Sequence, residues 1–502
     1  MLRPRRAELM LVAVFALGLL CGCPAAKVGN SGSDSSSGSG STVGTTASST
    51  TAGSSGSHGS TSGASTAGPG ASSSSGGHGS TTGTASNTGS SSSSSTTTSS
   101  SSTGSSGGTG SGRPFPDTSS TIAILADQLP GPLTSAQQQF VVDHYVGTQK
   151  LTLAYSQPLR ALKPDFLVLH YHLAMWQSAQ GVDFIIDGNN WGNDYSTVTT
   201  HDDWFWHNAD GGRVASDQDG KWLMNVSSAG FQQYWADSIA QQVGAGDYDG
   251  IFLDSASPAL LNFEASQDDP RLAGTAARDT VFDELGNQTF IDAWQTWITQ
   301  LDGALAARGI PLIPNTSAFT TSWDNTNYGL SAGIFAEGFS APSFAESDWQ
   351  ASTDEILTLV AADKIVILQN YLSDPTDLAT RRYYLANYLL VKGSHTYLDY
   401  FAAGPLEWYP EWTLDLGAAQ TSATDVSQLL QNGVYRRDFA NGIVLVNPSG
   451  SDVSVSLGNT FHRVEPSGGG AVDSNGDEPG TLSYSDVTQI TVPAQGAEIL
   501  TR

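Results

Sequence analysis

Two carboxylates of this chain stand where a carboxylate can do chemistry. The run Gly250-Ile251-Phe252-Leu253-Asp254-Ser255-Ala256 is a short apolar segment that ends in an acid and passes at once to small residues. A buried parallel strand reads this way when it delivers a side chain to the mouth of a barrel or open sheet. Further along, Gly333-Ile334-Phe335-Ala336-Glu337-Gly338-Phe339 repeats the arrangement with Glu337. Two strand-end carboxylates on one scaffold suffice to break a glycosidic bond, one protonating the leaving oxygen and the other acting as nucleophile or base. Glu337 has apolar neighbours that favour its protonated form and suit a general acid/base. Asp254, flanked by Ser255 and preceded by Asp249, suits the ionised role of nucleophile or electrostatic stabiliser.

Elements must exist to position them. From Pro114 onward strand and helix signals alternate. Strands are expected at 121–129, at 166–169 running into His170-Tyr171-His172, at 222–225, 251–254, 312–315, 333–337, 365–370 and 395–400. Helical spacing of apolar residues covers 135–145, 231–243, 290–305, 354–362 and 378–391. Eight strands alternating with helices over 114–418 predict a (β/α)8 TIM barrel, with a doubly wound open sheet as the competitor. The Gly-rich phosphate turn of a nucleotide-binding sheet is missing after the first strand. From 419 to 502 short strands separated by Gly, Asn and Pro predict a small C-terminal antiparallel β-sandwich.

Barrel sites lie at the C-terminal ends of strands. Those ends carry Asp127, His170, His172, Asn225, Asp254, Asn315, Glu337, Gln369, Asn370 and Asp399. So many polar groups on one rim predict a surface for a polyhydroxyl ligand. In this numbering Asp254 and Glu337 end the fourth and sixth strands, and alternate strands feed the same barrel layers. Trp176, Trp191, Trp204, Trp206 and Trp222 crowd the segment before the fourth strand, and Trp191 and Trp206 are candidates for stacking on sugar faces. His170 and His172 alternate on their strand and share a face. With nearby carboxylates they would offer metal ligands, but no third histidine follows at ligand spacing, so hydrogen bonding to sugar is preferred and no metal or other cofactor is expected.

The N-terminus is not fold. Arg3, Arg5 and Arg6 precede an apolar stretch, Leu9 to Leu20, too short to span a bilayer, which closes with Leu20-Cys21-Gly22-Cys23. Residues 1–22 therefore read as a lipoprotein signal peptide, with Cys23 carrying lipid after cleavage. Residues 23–113, nearly all Ser, Gly, Thr and Ala beyond Val28, predict a disordered tether. These features predict a secreted bacterial lipoprotein of the cell envelope, at the outer membrane or cell surface, held to the membrane by its N-terminal lipid. Both cysteines lie in the signal region, so the folded part must rely on a large core. Between 114 and 502 stand 16 basic and 46 acidic residues, a balance that argues against a nucleic-acid partner.

Several segments together carry a resemblance. Phe166-Leu167-Val168-Leu169-His170-Tyr171-His172, Trp222-Leu223-Met224-Asn225-Val226, Asp249 to Asp254, Phe335 to Phe339, and Glu407-Trp408-Tyr409-Pro410-Glu411-Trp412 make the chain similar to a glycoside-hydrolase-like barrel family, the hypothetical glycosyl hydrolase family fifteen type. The resemblance covers most of 115–460. It implies a barrel and kinship with retaining α-glycosidases that place a nucleophile on strand four and an acid/base on strand six, here Asp254 and Glu337. It names no sugar. The expected activity is hydrolysis of glycosidic bonds in an oligo- or polysaccharide. The alternatives are a catalytically silent carbohydrate-binding barrel and a metal-dependent polysaccharide hydrolase or deacetylase using His170 and His172.

Overall fold

The computed structural model describes residues 112–502 except 180, 187–188, 208–210, 215–220, 245–246, 257–287, 317–326 and 403–405, with backbone alone at 182–186, 189–191 and 288–290. The expected signal peptide, Cys23 and the tether up to residue 111 lie outside the described residues. No helix among the described residues is long and apolar enough to cross a membrane.

Eight parallel strands form the barrel: β1 Ile124–Gln128, β2 Tyr145–Lys150, β3 Leu167–Leu173, β4 Gly250–Asp254, β5 Leu312–Pro314, β6 Gly333–Glu337, β7 Ile365–Tyr371 and β8 Thr396–Phe401. Neighbours in sequence are neighbours in the sheet, and β8 returns to β1. The ring closes between β5 and β6, where the Thr316 N–H donates to the Phe335 carbonyl at 2.8 Å. Helices α1 Ser135–His144, α2 Leu153–Leu162, α3 Ala229–Val243, α4 Gln288–Ala306, α5 Glu346–Ala361 and α6 Leu378–Val391 follow strands one, two, three, four, six and seven. Their starts are chemically marked. Thr134 and Gln137 form a reciprocal capping box at α1, and Asp377 accepts from the Ala379 and Thr380 N–H groups at α6. The strand residues between barrel and helices, among them Ile251, Leu253, Ile334 and Leu368, are fully buried, as a parallel sheet covered on both faces requires. The fold is a (β/α)8 TIM barrel followed by antiparallel β-structure.

Two expected strands need correction. The second barrel strand is Tyr145–Lys150, which the sequence reading absorbed into the end of α1 and the following loop. Its sequence, Tyr-Val-Gly-Thr-Gln-Lys, has little apolar signal. Gly147 is required because a Cβ there would overlap the Leu167 side chain and carbonyl of β3. The segment expected as strand three, 222–225, belongs instead to a two-stranded sheet outside the barrel, where Lys221–Leu223 pairs antiparallel with Trp176–Ser178. The two errors cancel, so Asp254 and Glu337 still end strands four and six.

Beyond the barrel, six antiparallel strands form one sheet: β9 Leu430–Gln431, β10 Val434–Phe439, β11 Gly442–Asn447, β12 Val453–Gly468, β13 Gly480–Val492 and β14 Gly496–Thr501. The stretches 453–457 and 461–464 are parts of one long strand with an irregularity between Ser456 and Phe461. One face of the sheet, through Tyr435, Val444, Val446 and Ile499, shares the barrel's core, while Val434, Ile443, Leu445, Val492 and Leu500 form a second, smaller core. Arg437 donates to the Leu389 and Leu390 carbonyls at 3.0 Å each, satisfying the C-terminal end of α6 from the sheet.

Candidate active site

The inward face of the barrel is polar at its upper end. Strand alternation places Phe252 and Asp254 of β4, and Phe335 and Glu337 of β6, on the inside, where the two phenyl rings meet edge to face at 5.0 Å. Above that apolar floor the carboxylates share one donor. Asn315, just past β5, donates through Nδ2 to Asp254 Oδ1 at 2.8 Å and to Glu337 Oε2 at 2.6 Å. Those two bonds laid end to end cannot hold the oxygens more than about 5.4 Å apart.

Each remaining oxygen has its own partner. Tyr171 of β3 donates to Asp254 Oδ2 at 2.7 Å, and the Tyr371 hydroxyl of β7 donates to Glu337 Oε1. Both strands then turn in the same way. Ser255 follows Asp254 with φ 51°, and Gly338 follows Glu337 with φ 69°. Glycine adopts this left-handed conformation freely, whereas a serine there is strained and is held by its surroundings. Here the Ser255 N–H donates to Asp254 Oδ1 at 2.8 Å.

The electrostatics separate the two acids. Glu337 is pushed up to about 7, first by burial and then by the charge of Asp254. Burial also works to raise Asp254, but Lys150, the Tyr171 and Asn315 donors and Lys221 overcome it and hold the acid below the ordinary aspartate value. Lys150, the last residue of β2, meets Asp127 of β1 at 3.0 Å and lies 5.7 Å from the Tyr171 ring centroid and 5.2 Å from that of Phe252. Burial alone would lower the lysine, yet Asp127, Asp254 and Glu337 raise it above the usual range. Asp127 and Asp399 are both raised by burial, and Asp399 Oδ2 accepts the Asp127 N–H at 2.9 Å.

Of the rim residues expected from sequence, the structure brings together Asp127, Asp254, Asn315, Glu337, Gln369 and Asp399. Gln369 stands in register between Glu337 and Asp399. It shares a face with Tyr371, two residues along β7, which reaches Glu337. Its Oε1 is buried with no hydrogen-bond partner among the described residues.

Four expected residues, His170, His172, Asn225 and Asn370, have other partners. His170 and His172 share a face, but it is the outer one. His170 packs against Tyr248 with ring centroids 4.9 Å apart, and His172 against Trp235 of α3 at 5.0 Å. Strand alternation gives the inner position to Tyr171 between them. Burial lowers His170 to about 3, so the ring is neutral. No group of three or more His, Cys, Asp or Glu among the described residues is placed to hold a metal. Asn225 lies beyond the 221–223 strand and accepts from the Ser227 N–H and hydroxyl, a local turn before α3. Asn370 faces away from Gln369 and accepts the Ser340 N–H at 3.1 Å, which anchors the loop after Glu337. Trp206 is half-buried against the main core, and the Trp191 side chain lies outside the described residues.

Sequence reasoning missed Lys150, Tyr171 and Tyr371. Tyr171 had a signal, because two histidines on one face leave the residue between them on the other. Tyr371 also had one, two positions beyond Gln369. Lys150 had none while its strand went unrecognised.

The match to known proteins now has a geometry to stand on. The family described as hypothetical glycosyl hydrolase family 15 matches residues 160–443, more than half of the chain. The chain belongs to this family. That stretch holds Tyr171, Asp254, Asn315, Glu337, Gln369, Tyr371 and Asp399, while β1 and β2, with Asp127 and Lys150, precede it. No curated protein matches the sequence.

Solved structures similar in fold include a GH13_31 family enzyme at 10% identity and TM-score 0.41, covering 76% of this chain and 99% of that one. An alpha-amylase from Malbranchea cinnamomea stands at 10% identity and TM-score 0.40, covering 76% and 96%. The noncanonic maltogenic alpha-amylase AmyB of Thermotoga neapolitana stands at 11% identity and TM-score 0.37, covering 76% and 98%.

Proposed function

We propose that this family member is a retaining glycoside hydrolase in which Asp254 is the nucleophile and Glu337 the general acid/base. The observation that carries the reading is the shared Asn315 amide, which brings one oxygen of each carboxylate within about 5.4 Å of the other. Retaining glycosidases hold their carboxyl groups ~5–5.5 Å apart, whereas inverting ones leave ~6.5–9.5 Å for a water. The charge states agree with these roles. An ionised Asp254 beside a Glu337 that titrates near neutrality is the split that acid and nucleophile need.

In the first step an Asp254 oxygen bonds to the anomeric carbon as the glycosidic C–O bond breaks, and the Glu337 proton passes to the departing oxygen. In the second, Glu337 takes a proton from water as the water oxygen bonds to the anomeric carbon and the Asp254 ester is released. Tyr371 suits both states of Glu337, since a phenol can donate to the carboxylate or accept from the acid. Asn315 holds both groups in place. Gln369, Asp127 and Asp399 supply further polar contacts for sugar hydroxyls. Carbohydrate is the partner, and an N-terminal lipid on Cys23 with the Ser/Gly/Thr-rich tether would place the barrel at the cell envelope.

The test is hydrolysis of a panel of 4-nitrophenyl glycosides and polysaccharides by residues 23–502, with Asp254→Asn and Glu337→Gln alongside. Turnover by the wild type that collapses in both variants supports the assignment. Variants as fast as wild type would end it, and loss of activity with a chelator would favour the metal-dependent alternative. Sugar binding without turnover would favour the silent barrel.

A further inference from the structure

Three carboxylates, Asp127, Asp254 and Glu337, converge on the inner face of β1, β4 and β6, and one ammonium stands among them. Lys150 is fixed from two sides. Asp127 holds its Nζ through Oδ1 at 3.0 Å and Oδ2 at 3.1 Å. The Tyr171 and Phe252 rings, at 5.7 and 5.2 Å, form its apolar walls. Those rings belong to the catalytic layer, since Tyr171 donates to Asp254 and Phe252 lies two residues before Asp254 on β4. The cation is therefore tied to a wall that also positions the nucleophile.

Charge in the site is otherwise mostly negative. Asp254 is faced by Asp127 from β1, Lys150 from β2, Tyr171 from β3, Asn315 beyond β5, Glu337 from β6 and Lys221 from the strand 221–223 outside the barrel. Glu337 is faced by Asp254, Lys150, Asp127, Asn315 and, from β7, Tyr371. His170 and His172 turn to the helices and contribute nothing here.

We propose that Lys150, oriented by Asp127, is the positioning residue that keeps Asp254 ionised while Glu337 carries the proton. The inference rests on the two-carboxylate reading and adds to it a residue on a strand outside the matched family region. The ion pair works as a unit. Asp127 holds the ammonium between the ring walls, and the ammonium offsets the repulsion that Asp254 and Glu337 impose on each other. A substrate then meets one anion and one acid in place of two groups competing for a proton.

The experiment compares wild type with Lys150→Met, Lys150→Arg and the double variant Asp127→Asn/Lys150→Met, which removes both partners and leaves no lone buried charge. The kcat/KM–pH profile is measured with the 4-nitrophenyl glycoside that the wild type cleaves fastest. Loss of a cation raises both carboxyls, so both limbs of the profile should move to higher pH, by about one unit or more. The displacement should appear in full in Lys150→Met and, reduced by the loss of the Asp127 charge, in the double variant, and Lys150→Arg should restore the wild-type position. Lower activity with unmoved limbs would mean a structural role only and would overturn the proposal.

A second readout is free of turnover. The carbon-13 carboxyl resonance that disappears in Asp254→Asn should titrate below the ordinary aspartate range in wild type and move upward in the double variant. If the wild type cleaves no glycoside, the hydrolase reading fails, and this titration alone decides whether Lys150 holds Asp254 ionised. An unmoved Asp254 titration in the double variant refutes the inference even in an active enzyme.

Discussion

Two carboxylates of this molecule are held in opposite ways. Glu411, in the segment that follows the barrel, receives both ends of one guanidinium, Arg381 Nε at 2.8 Å and Nη2 at 2.5 Å. The rest of that guanidinium is spent on the Pro375 and Gly468 carbonyls. Charge is balanced one to one in a bidentate fork, and the same guanidinium ties α6 to the C-terminal sheet through Gly468. Glu337, partly buried at the end of β6, instead shares a neutral amide with Asp254, and the one ammonium in reach is already held by Asp127. A buried acid matched by its own cation is a fastener. An acid left under-compensated keeps its proton near neutrality and is ready to pass it on.

The comparison can be broken by mutation, and the largest effects should fall on catalysis. Asp254→Asn removes the nucleophile, and Glu337→Gln removes the transferable proton. Steady-state kinetics should show kcat lower by about 10²–10⁴-fold for the acid/base variant, and at least as much for Asp254→Asn. Both chains should still unfold as the wild type does, within a few degrees. Breaking the fastener should do the reverse. Arg381→Met strands Glu411 and should cost about 3–5 kcal/mol in chemical denaturation, while activity per folded molecule stays near wild type.

The pH dependence should be of middling size. Glu337 must hold its proton to act, so kcat/KM should fall as pH rises through about 7. The acidic limb should lie below the ordinary aspartate value, because Asp254 must be ionised. Stability should follow the same group. The folded-state value of Glu337 is raised from 4.5, so its contribution is complete below that value and is lost as pH rises towards about 7. Thermal melts across that window should show a decline that Glu337→Gln flattens. The smallest effect belongs to the outer face of β3. His172→Phe should leave kcat/KM within about threefold, because that ring packs on Trp235 and not on the site. A loss comparable to that of Glu337→Gln would return the histidine to the chemistry.

The same contrast explains what the sequence made legible. Asp254 and Glu337 announced themselves because each ends a fully apolar strand, so an acid there has no ordinary packing role. The barrel was legible from alternation, except where packing demanded a residue that hides the pattern. Gly147, which makes room for Leu167, left β2 without its apolar signature and concealed Lys150 with it. His170 and His172 misled for a related reason. Period two states which residues share a face but not which face is inside, and here the buried rings belong to the helix side. Asn225 and Asn370 show that a polar strand end can serve the backbone of its own loop. Partnerships across the barrel, such as Asn315 with both acids, arise between strands and leave no trace in any one segment.

The measurement that tests the central claim most directly is trapping of the glycosyl-enzyme. Wild-type protein is incubated with a slow fluorinated glycosyl fluoride of the sugar it cleaves fastest, then digested and analysed by mass spectrometry. A two-carboxylate retaining mechanism predicts one sugar adduct, on the peptide that carries Asp254, and none in Asp254→Asn. An adduct on another residue, or first release of the inverted anomer with no adduct at all, would contradict it.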